Sequence, residues 1–135
     1  MPFMYECLVS SALLFLVMIF VQATSGALHH GLILLGPRDN LEKTDSVFMG
    51  RTKRASANML ENMMLFVPLV IVAVETGRMT ALAEFGAGLF LAARVVYAPA
   101  YWLGIPLLRP IAWVSGIVGI GVIASQVLPS LGGAG

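Results

Sequence analysis

The sequence predicts an all-α integral membrane protein, a single four-helix bundle over residues 1–135. Three observations predict it. Hydrophobic residues make up 59% of the chain and charged residues 11%, against about 25% charged in an ordinary soluble domain. Four apolar runs recur, each near the ~20 residues that one bilayer crossing needs, and short segments rich in Gly, Pro or charge separate them. Polar residues recur at helical spacing of three and four.

The first run covers about 5–35, broken weakly by Gln22, Ser25, Gly26 and His29-His30, and Gly36-Pro37 stops it. It has no basic leader and is too long for a signal-peptide core, so it reads as a retained helix. The loop Pro37 to Gly50 is the one strongly polar stretch. The second helix is expected over 51–76, with Pro68 inside it freeing a carbonyl or kinking it. Gly77-Arg78 makes a turn, and Thr80 is a natural N-cap for a third helix over 81–102. Gly104 and Pro106 break the chain again. A fourth helix follows over 109–128, with Pro110 suited to its first turn and Gly116, Gly119 and Gly121 thin enough for close helix approach.

Four crossings put both termini on one side. The other side holds Arg38, Lys43, Arg51, Lys53, Arg54 and Arg109, against Arg78 alone at the helix 2–3 turn. The positive-inside rule makes the Arg-rich side cytoplasmic and, in a bacterial inner membrane, both termini periplasmic. A net charge of +1 gives no electrostatic case for nucleic acid. The single Cys7 cannot close an internal disulfide and reads as a packing residue. His29-His30 have no further ligand-type residue nearby, so no metal site is expected.

Arg51, Arg54, Asn58 and Glu61 are spaced three, four and three residues apart. At about 100° per residue they fall within roughly an 80° arc and descend about 15 Å. Arg94, Tyr97 and Tyr101 form a second one-face stripe late in the third helix, converging on the same depth. Arginines at a helix end serve topology and snorkelling, but topology requires neither Asn58 nor Glu61. At that depth Glu61 is expected to be buried, against either a ligand or a cation of the bundle, most simply Arg94. Met59, Met63 and Met64 read as gap fillers or lipid-facing residues.

The run Arg51-x-x-Arg54-Ala55-x-x-Asn58-x-x-Glu61-Asn62 with Phe66 resembles the signature of the MAPEG family, the membrane-associated proteins in eicosanoid and glutathione metabolism. Ala93-Arg94-Val95-x-Tyr97-x-x-x-Tyr101, then Leu108-Arg109, resembles its second block. Gly36-Pro37-Arg38-Asp39 is similar to the first loop of short bacterial members. The likeness spans about residues 10–128. It implies a homotrimeric four-helix bundle with glutathione sites at subunit interfaces, opening to the cytoplasm.

Carried onto this chain, the resemblance makes Arg51, Arg54, Asn58, Glu61, Arg94, Tyr97 and Tyr101 glutathione-binding positions. Arg109 lies close to the arginine credited with thiol activation in leukotriene C synthases, one residue off in its distance from Tyr101, so Arg109 and Tyr101 are the catalytic candidates. Asn62 stands where those synthases have a tyrosine. Pro110 stands where prostaglandin E synthase relatives have a catalytic serine. The residue chemistry suits glutathione: arginine forks bind carboxylates, Glu61 can take an ammonium, Asn58 can meet a peptide group, and a cation or hydroxyl favours a thiolate. The implied activity is a transferase or peroxidase acting on lipophilic electrophiles or lipid hydroperoxides that arrive through the bilayer. The alternative is a non-catalytic lipid- or partner-binding protein whose polar stripe only holds the bundle together.

Overall fold

In the computed structural model, which describes residues 1–30 and 46–133, four helices follow one another: α1 (Phe3–His30), α2 (Val47–Glu75), α3 (Ala81–Leu103) and α4 (Leu108–Val127), closed by a short 3-10 turn (Leu128–Gly133). Each of the four is long and apolar enough to cross a membrane. The end of the first apolar run, its Gly36-Pro37 stop and the loop cations Arg38 and Lys43 lie outside the described residues.

Local chemistry sets the helix ends. α2 begins four residues before Arg51 because Ser46 caps it, its hydroxyl accepting from the Met49 amide at 3.1 Å. Thr80 caps α3 in the same way, accepting from the Ala83 amide at 3.0 Å. Gly104 ends α3 in the left-handed region, φ 71°, which glycine enters without penalty. Pro68 and Pro99 sit inside α2 and α3 on exposed faces. Neither ring can donate to the preceding turn, yet both helices run on through them.

α3 and α4 pack most extensively; α1 lies on α2 and α3, while α4 lies on α3 and α2. Small residues allow this. A Cβ on Gly119 would stand 2.6 Å from the Gly86 carbonyl oxygen, and one on Gly86 would stand 2.7 Å from that of Gly119, so the two backbones cross in near contact. Phe66 of α2 stacks on Phe90 of α3 at 3.9 Å between centroids, both fully buried. The outer faces carry Leu13, Leu16, Phe20, Phe85, Ile111 and Val114 exposed, the pattern expected where lipid or another subunit replaces water. Of the three methionines, Met59 and Met63 are buried, and Met64 faces outward.

Candidate functional site

The up-and-down order brings the start of α2, the end of α3 and the start of α4 to one end of the bundle. A cation-rich cluster forms there from three helices. Arg54 Nε donates to the Tyr101 hydroxyl at 3.1 Å. The Arg109 guanidinium carbon stands 5.0 Å from the Tyr101 ring centroid. The Tyr101 ring is 5.4 Å from that of Tyr97, and the Arg94 guanidinium covers Tyr97 at 4.1 Å. Gly50 gives Arg54 room, since a Cβ there would lie 3.1 Å from its Nη1.

Arg94 is the unusual member. Only 1% of it is exposed, and its Nε donates to the Met59 thioether at 3.3 Å. Its Nη1 and Nη2 are buried with no hydrogen-bond partner among the described residues. A buried guanidinium without an anion is expensive, and both the aromatic face of Tyr97 and a thioether are weak compensation. The Glu61–Arg94 pair that the sequence allows is therefore not formed. Glu61 is not buried either. It is exposed on the α2–α4 side, where it lines a cleft of about 180 Å³ with Asn58, Asn62, Leu65, Trp113 and Ile117. The physical reason is angular. Glu61 lies at one edge of the polar arc, toward α4, and Met59 occupies the position that faces Arg94.

Arg51 stands apart from the cluster. Its guanidinium lies over Gly104, where a Cβ would come within 2.7 Å, and Nη1 reaches the Trp102 carbonyl at 3.5 Å. That carbonyl belongs to the last turn of α3 and has no intrahelical donor, so Arg51 ties the start of α2 to the end of α3. The expected residues thus fall into three groups: Arg54, Tyr97, Tyr101, Arg94 and Arg109 together; Asn58 and Glu61 in the adjoining cleft; Arg51 at the α3–α4 turn.

Sequence reasoning missed Met59 as the Arg94 partner and Trp113 and Ile117 as cleft walls. The walls had a signal, since Arg109, Trp113 and Ile117 recur every four residues and share one face of α4. Met59 had none. Among the described residues no group of three or more His, Cys, Asp or Glu side chains could hold a metal ion.

The buried unpaired nitrogens of Arg94 suit an anion, and the exposed Glu61 carboxylate suits a cation. A model of the MAPEG family matches residues 5–128 of the chain. Neither a curated protein nor a solved structure matches it significantly.

Proposed function

The chain belongs to the MAPEG family, and from that premise we propose that it is a membrane-bound, glutathione-dependent transferase or peroxidase acting on lipophilic electrophiles or lipid hydroperoxides. The observation that carries the reading is Arg94: a buried cation with two unpartnered nitrogens, at the inner end of a cluster of three guanidiniums and two phenols. A stripe that served only to hold the bundle would satisfy its charges within it. This one leaves donors open, and donors of that kind bind carboxylates in bidentate fashion.

Bound glutathione supplies the thiol that attacks the electrophile. A free thiol of pKa about 8.5 is mostly protonated at neutral pH, so the protein must favour its thiolate. The Tyr101 oxygen accepts from Arg54, which leaves its own O–H free to donate outward to a thiolate. Arg54 polarises that hydroxyl, and Arg109, across the same ring, adds positive charge. Tyr101 is then the hydrogen-bond donor and Arg109 the electrostatic contributor, so the two candidates act together. Arg94 and Arg54 hold carboxylate, Glu61 the ammonium, and Asn58 a polar group beside it. The apolar second substrate enters from the bilayer.

In the same reading the chain works as a homotrimer, with adjacent subunits completing each site. The site faces the cytoplasm of a bacterial inner membrane, with both termini periplasmic. The charge bias between the two ends supports the orientation. A C-terminal alkaline phosphatase fusion should be active; an inactive fusion beside a bright fluorescent-protein fusion would reverse the faces. Light scattering in mild detergent should give a trimer, and a monomer that still binds glutathione would remove that part of the reading. The decisive assay is conjugation of a model aryl halide to glutathione by the purified protein. Turnover together with ultraviolet thiolate absorbance supports the enzyme. Glutathione bound only as the neutral thiol, with no turnover, makes the protein a binding module.

A further inference from the structure

Asn62, a wall of the α2–α4 cleft, also sets the orientation of its neighbour Asn58. It is 5% exposed, one helical turn after Asn58. Its Nδ2 stands 2.7 Å from the Asn58 backbone carbonyl oxygen and 3.1 Å from Asn58 Oδ1. A backbone carbonyl only accepts, so the group that Asn62 turns toward it must be its NH2. The same NH2 faces the Asn58 carboxamide, which must therefore turn its oxygen inward, because two facing NH2 groups would repel. Neither orientation is then a free choice of the amides: the main chain determines the first, and the first determines the second.

We infer that Asn62 is a positioning residue that locks Asn58 as a hydrogen-bond donor, so that the α2–α4 cleft recognises an acceptor beside an ammonium, the α-amino acid end of glutathione. With its oxygen turned toward Asn62, Asn58 presents its NH2 to the cleft. Glu61, three residues on and lining the same cleft, is an exposed carboxylate. Residues at this spacing are neighbours about 5–6 Å apart between Cβ atoms on a helix surface. An ammonium and a carboxylate borne on one carbon fit that donor-and-anion pair. A carboxamide free to rotate would accept either polarity and discriminate less. This inference rests on the proposed glutathione function and specifies which end of the tripeptide the cleft holds.

The test compares two ligands on three proteins by calorimetric titration. The ligands are glutathione and its analogue with γ-aminobutyryl in place of γ-glutamyl, which keeps the ammonium and lacks the neighbouring carboxylate. In Asn62→Asp the Asn58 main-chain carbonyl repels the carboxylate, which leaves it and accepts from the Asn58 NH2 instead, turning that carboxamide round. It should weaken glutathione by about 10- to 100-fold, the range for a hydrogen bond to a charged group. It should leave the analogue within about twofold of its wild-type affinity, since the lost bond is absent there. Asn62→Leu frees the amide without reversing it and should fall between wild type and Asn62→Asp. Equal loss of both ligands in the variants would make Asn62 merely structural and overturn the inference. So would glutathione affinity that Asn62→Asp leaves unchanged. Wild-type protein that binds no glutathione would remove the proposed function itself, a result distinct from either.

Discussion

At the end of the bundle that carries the α2–α3 turn, a phenol meets a carboxylate, Tyr5 donating to Glu75 at 2.8 Å, and a hydroxyl meets a carboxamide, Thr80 donating to Gln126 at 3.0 Å. At the opposite end three guanidiniums and two phenols gather, and no carboxylate closes on Arg94. The residue types overlap, but what they do differs. In the first region these two donors find acceptors of their own chain, so the contacts join α1 to α2 and α3 to α4. In the second the contacts run cation to ring and cation to hydroxyl, which orient the guanidiniums without neutralising them. Closed pairs hold helices together; in the proposed function the open ones take a ligand.

Three substitutions probe this contrast. The largest effect is expected away from both ends. Gly119→Leu drives a side chain into the Gly86 carbonyl and the Phe90 backbone and should cost about 3 kcal/mol or more, read as loss of the folded species in detergent. It would show that α3–α4 contact, rather than either polar end, carries the fold. Next, Tyr101→Phe removes the free O–H but keeps the ring that Arg109 covers. Glutathione should still bind, while conjugation falls roughly 10²-fold, the low end for a positioned proton donor, and ultraviolet thiolate absorbance drops. Unchanged turnover would transfer thiol activation to Arg109 alone. The smallest effect belongs to the closed end. Thr80→Ala loses an N-cap and the bond to Gln126 and should cost about 1 kcal/mol in stability, with glutathione affinity unaltered. An affinity loss there would mean that the two ends are coupled.

The fold was legible because the bilayer demands long apolar runs and Gly/Pro punctuation, and these survive in the sequence whatever the packing. The cluster was partly legible for a similar reason: Arg94, Tyr97 and Tyr101 share a face by spacing alone, as do Arg54 and Asn58. The failures were contacts between helices. Spacing on α2 could not tell that Met59, rather than Glu61, would face Arg94, because that depends on how α2 rolls against α3. Nor could it show Arg51 turned toward the end of α3, because Gly104 makes the space there by having no side chain. Asn58 and Asn62 share a helix face by their four-residue spacing, but that they bond, and with which polarity, rests on the carbonyl contact.

The central claim is that the cation at the inner end of the cluster awaits a ligand and does not hold the bundle. Arg94→Met tests it most directly, with thermal unfolding measured with and without glutathione. Replacing a buried, unpaired charge by an apolar side chain of similar length removes a desolvation cost. The account predicts a Tm without ligand equal to or above wild type, a glutathione affinity lowered by about 100-fold or more, and no stabilisation by added glutathione. A large fall in ligand-free Tm with glutathione affinity intact would make Arg94 a structural cation and contradict the account.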